Sequence, residues 1–200
     1  MKSHKTMEMV EIAFIGAVLC VISPFTIPIP ASPVPLSLAT LGVYLATAFF
    51  GTRKAVCGIL VYLLLGMAGL PVFSGFSGGI GIVFGPTGGY LMGYVPCAIL
   101  TGWLMERGRP WKQGQDTKEN VKSKDVHRMS KIWNIIAMLF GTLACYGLGT
   151  IWFLIIMDGM TIMQAVFLCV VPYLAFDMVK IVLAAYLSVS MKKRLRRMEL

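Results

Sequence analysis

The chain has 200 residues, 57% of them hydrophobic and 14% charged, with a formal net charge of +9. Soluble domains carry about 25% charged residues, so this composition excludes an ordinary soluble fold and leaves no room for an attached soluble enzyme domain. The basic excess would suit a polyanion, but it is clustered beside apolar segments, where membrane topology and anionic lipid headgroups account for it and nucleic acid is not needed as a partner.

A membrane-spanning helix needs about 20 mostly apolar residues. The first run, near 8–23, follows Lys2 and Lys5 as a signal peptide would. Glu8 and Glu11 interrupt its approach and no small-residue cleavage site follows, so it reads as a retained helix. Within it, Ala13 and Ala17 are small residues at i and i+4, a spacing that lets another helix approach closely. Residues 24–35, PFTIPIPASPVP, hold five prolines that cannot continue a helix. Helices are then predicted near 36–51 and 54–70. Residues 71–85, PVFSGFSGGIGIVFG, form a glycine-rich connection. A fourth helix is predicted near 86–106, and the charged segment 107–130 reads as a loop. Two further helices, near 131–157 and 162–191, complete an all-α bundle of six transmembrane helices in a single domain spanning 1–200.

The basic residues sort by side. Lys2 and Lys5 precede the first helix, and Arg53 and Lys54 separate the second and third. Arg107, Arg109, Lys112, Lys118, Lys122, Lys124, Arg128 and Lys131 lie between the fourth and fifth. Lys192, Lys193, Arg194, Arg196 and Arg197 follow the sixth. In a six-helix chain all of these face one side, and the loops 24–35, 71–85 and 158–161 contain no Lys or Arg. The positive-inside rule therefore predicts a multi-pass plasma-membrane protein with both termini in the cytoplasm.

Lys180 is the exception, inside VPYLAFDMVKIVLAAYL with Asp177 three residues before it. A charge at the bilayer centre costs about 2.5–3.5 kcal/mol on insertion scales, so both residues must face the protein interior or a wet cavity. The i, i+3 spacing puts them on one helix face, and Tyr173 at i−4 from Asp177 joins that stripe. Such a pair either locks helix packing or meets a polar ligand. An ionised Asp accepts from N–H groups, and a Lys ammonium donates to a carbonyl or pairs with a carboxylate.

Cys20, Cys57, Cys97, Cys145 and Cys169 each stand alone in apolar sequence, and His4 and His127 lie in charged flanks, so neither a metal site nor a disulfide framework is expected. The glycine cluster lacks a GxxxxGK[ST] pattern, and no Lys or Arg occurs between Lys54 and Arg107, so it does not bind ATP. It is expected to form a backbone wall that a ligand can approach, with Phe73, Phe76, Phe84 and Tyr90 as apolar contacts. Asp177 and Lys180 have no companion carboxylate or His, which argues against an intramembrane metalloenzyme.

The stretch GLPVFSGFSGGIGIVFGPTGGYLMGY, residues 69–94, resembles the signature of the BioY family, the biotin-specific substrate-capture subunits of energy-coupling factor transporters. PVP at Pro33–Pro35, the GPTGGY block and the terminal DxxK of Asp177 and Lys180 occur in matching order. The resemblance covers nearly the whole chain. It implies a six-helix bundle that binds biotin near its outer face, is no enzyme and has no cofactor. It also implies a transmembrane coupling protein and two ATPase subunits as partners, with Ala13 and Ala17 resembling the motif that docks on the coupling protein. Asp177, Lys180, Tyr173, Ser77, Gly78, Gly79, Thr40, Phe73 and Tyr90 are the expected ligand contacts, with Asp177 taking ring N–H groups and Lys180 serving either the ureido carbonyl or the carboxylate. The chain departs from relatives that carry Asn at Ser77, Arg at Leu91 and Gln at Ala39. Capture of a different vitamin is the alternative.

Overall fold

The computed structural model describes residues 2–28, 34–108, 123–157 and 159–198. Pro33 and the basic residues Arg109, Lys112, Lys118 and Lys122 lie outside the described residues. The chain is mostly helical: α1 (Lys2–Ile22), α2 (Ala39–Phe50), α3 (Thr52–Met67), α4 (Ile80–Val83), α5 (Gly88–Arg107), α6 (Ser123–Ile156), α7 (Ile162–Cys169) and α8 (Val171–Met198). Two short strands, β1 (Thr26–Ile27) and β2 (Leu36–Ser37), pair antiparallel.

Several expectations change. The first helix starts at Lys2 and not near residue 8, the segment predicted as a loop over 107–130 is helical from Ser123, and the glycine-rich connection contains the short α4. The proline-rich connection is not purely irregular, because its ends close as that ribbon. The helix predicted over 36–51 loses its first residues to β2 and starts at Ala39. The helix predicted over 162–191 is two helices broken at Val170. Pro172 supplies no N–H, so the hydrogen-bond ladder from α7 is interrupted there, and Val170 leaves helical backbone. α7 opens instead on a capping box, in which the Thr161 hydroxyl accepts from the Gln164 N–H and the Gln164 side chain accepts from the Thr161 N–H.

α6 from Lys131 to Ile156 and α8 from Val171 to Ser190 are long and apolar enough to cross a bilayer. α2 and α3, with 12 and 16 residues, are shorter than a full span, and only Gly51 separates them. Large apolar side chains crowd the outward surface: Phe140 is 55% exposed, Leu143 61%, Ile155 66% and Val179 67%. A water-soluble protein does not tolerate so large an apolar belt, and hydrocarbon satisfies it.

Small residues set the helix spacing. A Cβ on Gly58 would lie 2.5 Å from the Ile15 side chain, so α1 and α3 touch closely. A Cβ on Gly93 would lie 2.9 Å from the Cys145 sulfur, which brings α5 against α6. Hydroxyl pairs add cross-links between helices: Ser23 with Tyr62 at 2.6 Å, and Tyr44 with Thr142 at 2.6 Å. The glycine-rich connection is tied down as well. The Gly75 N–H donates to the Pro24 carbonyl at 3.1 Å, and the Phe25 and Phe76 rings meet edge-on at 5.7 Å. The ribbon and the glycine-rich connection thus meet at one end of the bundle.

Candidate ligand-binding site

Beneath that end lies a cavity of about 230 Å³, walled by residues from Val34 to Thr40, the glycine-rich connection, α5, α6, α7 and α8. Its size is just below the range of about 300–1,000 Å³ typical of small-molecule pockets.

Asp177 and Lys180 form part of its wall, two and three turns into α8, and are 5% and 7% exposed. Their atoms meet at 2.8 Å between Lys180 Nζ and Asp177 Oδ1. Lys180 Nζ also donates to the Ser37 carbonyl at 2.6 Å and to Thr40 Oγ1 at 3.1 Å. The Thr40 hydroxyl donates to Asp177 Oδ1 at 3.5 Å, and the Tyr146 hydroxyl donates to Asp177 Oδ2. An ionised carboxylate offers about four lone-pair positions, so Asp177 retains acceptor capacity beyond these bonds.

Of the residues expected to meet ligand, Thr40, Ser77, Tyr90, Tyr173, Asp177 and Lys180 line the cavity together. Tyr173 donates to the Val34 carbonyl, fixing the strand-side wall to α8. Tyr90 reaches Thr150 Oγ1 and the Cys169 carbonyl, each at 3.5 Å, and so ties α5 to α6 and α7.

Phe73, Phe76, Phe84, Gly78 and Gly79 do not line it, and Phe76 and Phe84 are exposed. Phe73 is wholly buried against Tyr62, with ring centroids 5.6 Å apart, and fills the space left by Gly66. Gly78 is glycine because a Cβ would sit 2.2 Å from the Leu70 carbonyl oxygen. Gly79 has φ +99° and donates to the Gly66 carbonyl at 2.7 Å. These glycines fold the connection back onto α3 and are not themselves a backbone wall for a ligand. In the GPTGGY block, likewise, Gly88 packs on Val83 and Gly89 on Trp152, while Thr87, Tyr90 and Leu91 face the cavity.

Sequence reasoning missed Tyr94, Cys145, Tyr146 and Cys169, all on the lining. Tyr146 touches the central carboxylate. Tyr94 is 5% exposed, and its hydroxyl has no hydrogen-bond partner among the described residues. A tyrosine within an apolar helix was the available signal, but nothing in the local pattern says that it faces Asp177 from another helix. Ala13 and Ala17 both lie on the outward face of α1, beside exposed Met9, Val10, Phe14 and Val21, whereas Gly16 packs inward on Val61.

Comparison with known proteins now decides the family. The BioY family model matches residues 1–197. The chain belongs to the BioY family. It is 32% identical to the biotin transporter BioY of Thermotoga maritima over 84% of this chain and 86% of that one. It is 31% identical to a probable biotin transporter BioY of Bacillus subtilis over 96% of this chain and 93% of that one. The fold matches the crystal structure of the S-component for biotin from an ECF-type ABC transporter, with a TM-score of 0.79 at 21% identity, covering 96% of this chain and 94% of that one. This BioY-family chain is a membrane protein and a relative of biotin transporters.

Proposed function

We propose that the chain captures biotin in the cavity beside Asp177 and Lys180 and is the substrate-capture subunit of an ATP-driven vitamin uptake transporter. The observation that carries this reading is the buried ion pair adjoining a void. A charged pair that served packing alone would gain little over apolar residues of the same volume, whereas here acceptor capacity on Asp177 and the partnerless hydroxyl of Tyr94 flank the space. A ureido ring complements them: its N–H groups donate to Asp177, and its carbonyl accepts from Tyr94. Thr40, Ser77, Tyr90 and Tyr173 complete the wall around it, and Lys180 bonds to Asp177 and holds it in place.

In this reading the chain crosses the plasma membrane six times. Both termini and the segment 107–130 are cytoplasmic, and the ribbon end faces outside. The one-sided distribution of Lys and Arg supports that orientation. α7 with α8, and the short α2 and α3, then act as spans tilted or shortened within the bundle. A transmembrane coupling protein and two ATPases supply ATP hydrolysis. The exposed small residues Ala13 and Ala17 give the coupling protein a close approach to α1.

The test is identification by mass spectrometry of the molecule that co-purifies with the chain, together with retention of radiolabelled biotin. Biotin retained at nanomolar concentration is the expected result. Preferential retention of thiamine or riboflavin would replace it with capture of another vitamin, and turnover of a substrate by the chain alone would revive an enzyme.

A further inference from the structure

We infer that the cavity provides no charge partner for the acid end of its ligand, so that it accepts amides formed at that carboxyl group about as well as the free acid. This rests on the capture reading above and concerns which part of the ligand that site recognises.

The first observation is the inventory of cations. Among the described residues, Lys180 is the one cationic side chain on the lining. The stretches 6–52, 55–106 and 132–179 contain no Lys, Arg or His, so no other segment feeding the wall can supply one. The second is that Lys180 is fully engaged. A lysine ammonium has three donors, and Lys180 Nζ has three acceptors: the Ser37 carbonyl at 2.6 Å, Asp177 Oδ1 at 2.8 Å and Thr40 Oγ1 at 3.1 Å. The third is that Asp177 neutralises its charge within the same wall.

A carboxylate taken into low-dielectric surroundings is strongly penalised unless a cation pairs with it. Here the acid end has two destinations, water at the mouth or neutral hydroxyls such as Ser77. Neither rewards the negative charge. The hydrogen-bonding head beside Asp177 then provides the discrimination, and the tail contributes apolar contact with Ile82, Leu91 and Tyr90. An amide tail keeps that contact and is cheaper to desolvate.

The experiment is competition against radiolabelled biotin on the detergent-purified full chain near neutral pH, with unlabelled biotin and biotinamide as competitors. The expected result is that the amide competes within tenfold of the acid. Retention of biotin with an amide more than tenfold weaker overturns this inference and leaves the capture reading standing. Failure to retain biotin at all removes the capture reading and this inference together.

Discussion

Among the described residues are two Lys–carboxylate pairs of similar composition and opposite character. Glu11 of α1 meets Lys54 at the start of α3, with the two side chains 28% and 31% exposed. Asp177 meets Lys180 within α8, with side chains 7% and 9% exposed. The first pair joins the middle of α1 to the start of α3, and each partner keeps access to the surroundings. The second is held by Ser37, Thr40 and Tyr146 from three other segments and borders a cavity. Ion pairing is common to both, so it cannot be what distinguishes a binding site. Burial, cross-segment hydrogen bonding and an adjoining void do.

The sharpest way to break this contrast is to remove one charge from the buried pair. Asp177→Asn and Lys180→Met each leave the partner buried without a counter-charge, a loss of about 3–5 kcal/mol. Biotin retention is expected to fall at least a hundredfold, with part of that energy also lost from thermal stability. Equal uptake per molecule of protein in either variant would refute the site. Tyr146→Phe removes a hydrogen bond to a charged group, about 1.5–3 kcal/mol, so a tenfold to hundredfold rise in the biotin Kd is expected from equilibrium binding. At the exposed pair, Glu11→Gln and Lys54→Met should each shift stability by no more than about 1 kcal/mol and leave the biotin Kd unchanged. A loss of binding there matching that of Asp177→Asn would dissolve the comparison. The smallest effect on binding is expected at Ala13 and Ala17. Leucine at either position should spare biotin retention but reduce co-purification of the coupling protein, and undiminished recovery would count against α1 as the docking face.

The legible part of the site was the part written along one helix. Asp177, Lys180 and Tyr173 share a face by helical period alone, and all three line the cavity. Thr40 and Ser77 came from resemblance to the family and Tyr90 from the aromatics interleaved with the glycine cluster, and all three also line it. Phe73, Gly78 and Gly79 came from the same stretch and do not, because a glycine-rich segment reads alike whether its glycines face a ligand or allow the chain to fold against its own helix. Tyr146 and Tyr94 were invisible for a different reason. Tyr146 reaches Asp177 across 31 residues of sequence, and Thr40 reaches it across 137, separations that no periodicity spans.

What the sequence determined by itself is the environment of each segment. Apolar runs of helical length demand hydrocarbon or a core, clustered Lys and Arg mark the ends, and two charges three residues apart must be hidden together. These follow from solvation and local geometry, which act on each stretch independently. Only the tertiary structure decided that the ribbon and the glycine-rich connection meet over one end, and that the charged pair borders open space. Those outcomes depend on how closely helices pack at Gly58 and Gly93, on Phe73 of the connection seating against Gly66, and on which distant hydroxyls and carbonyls the packing delivers to Asp177 and Lys180.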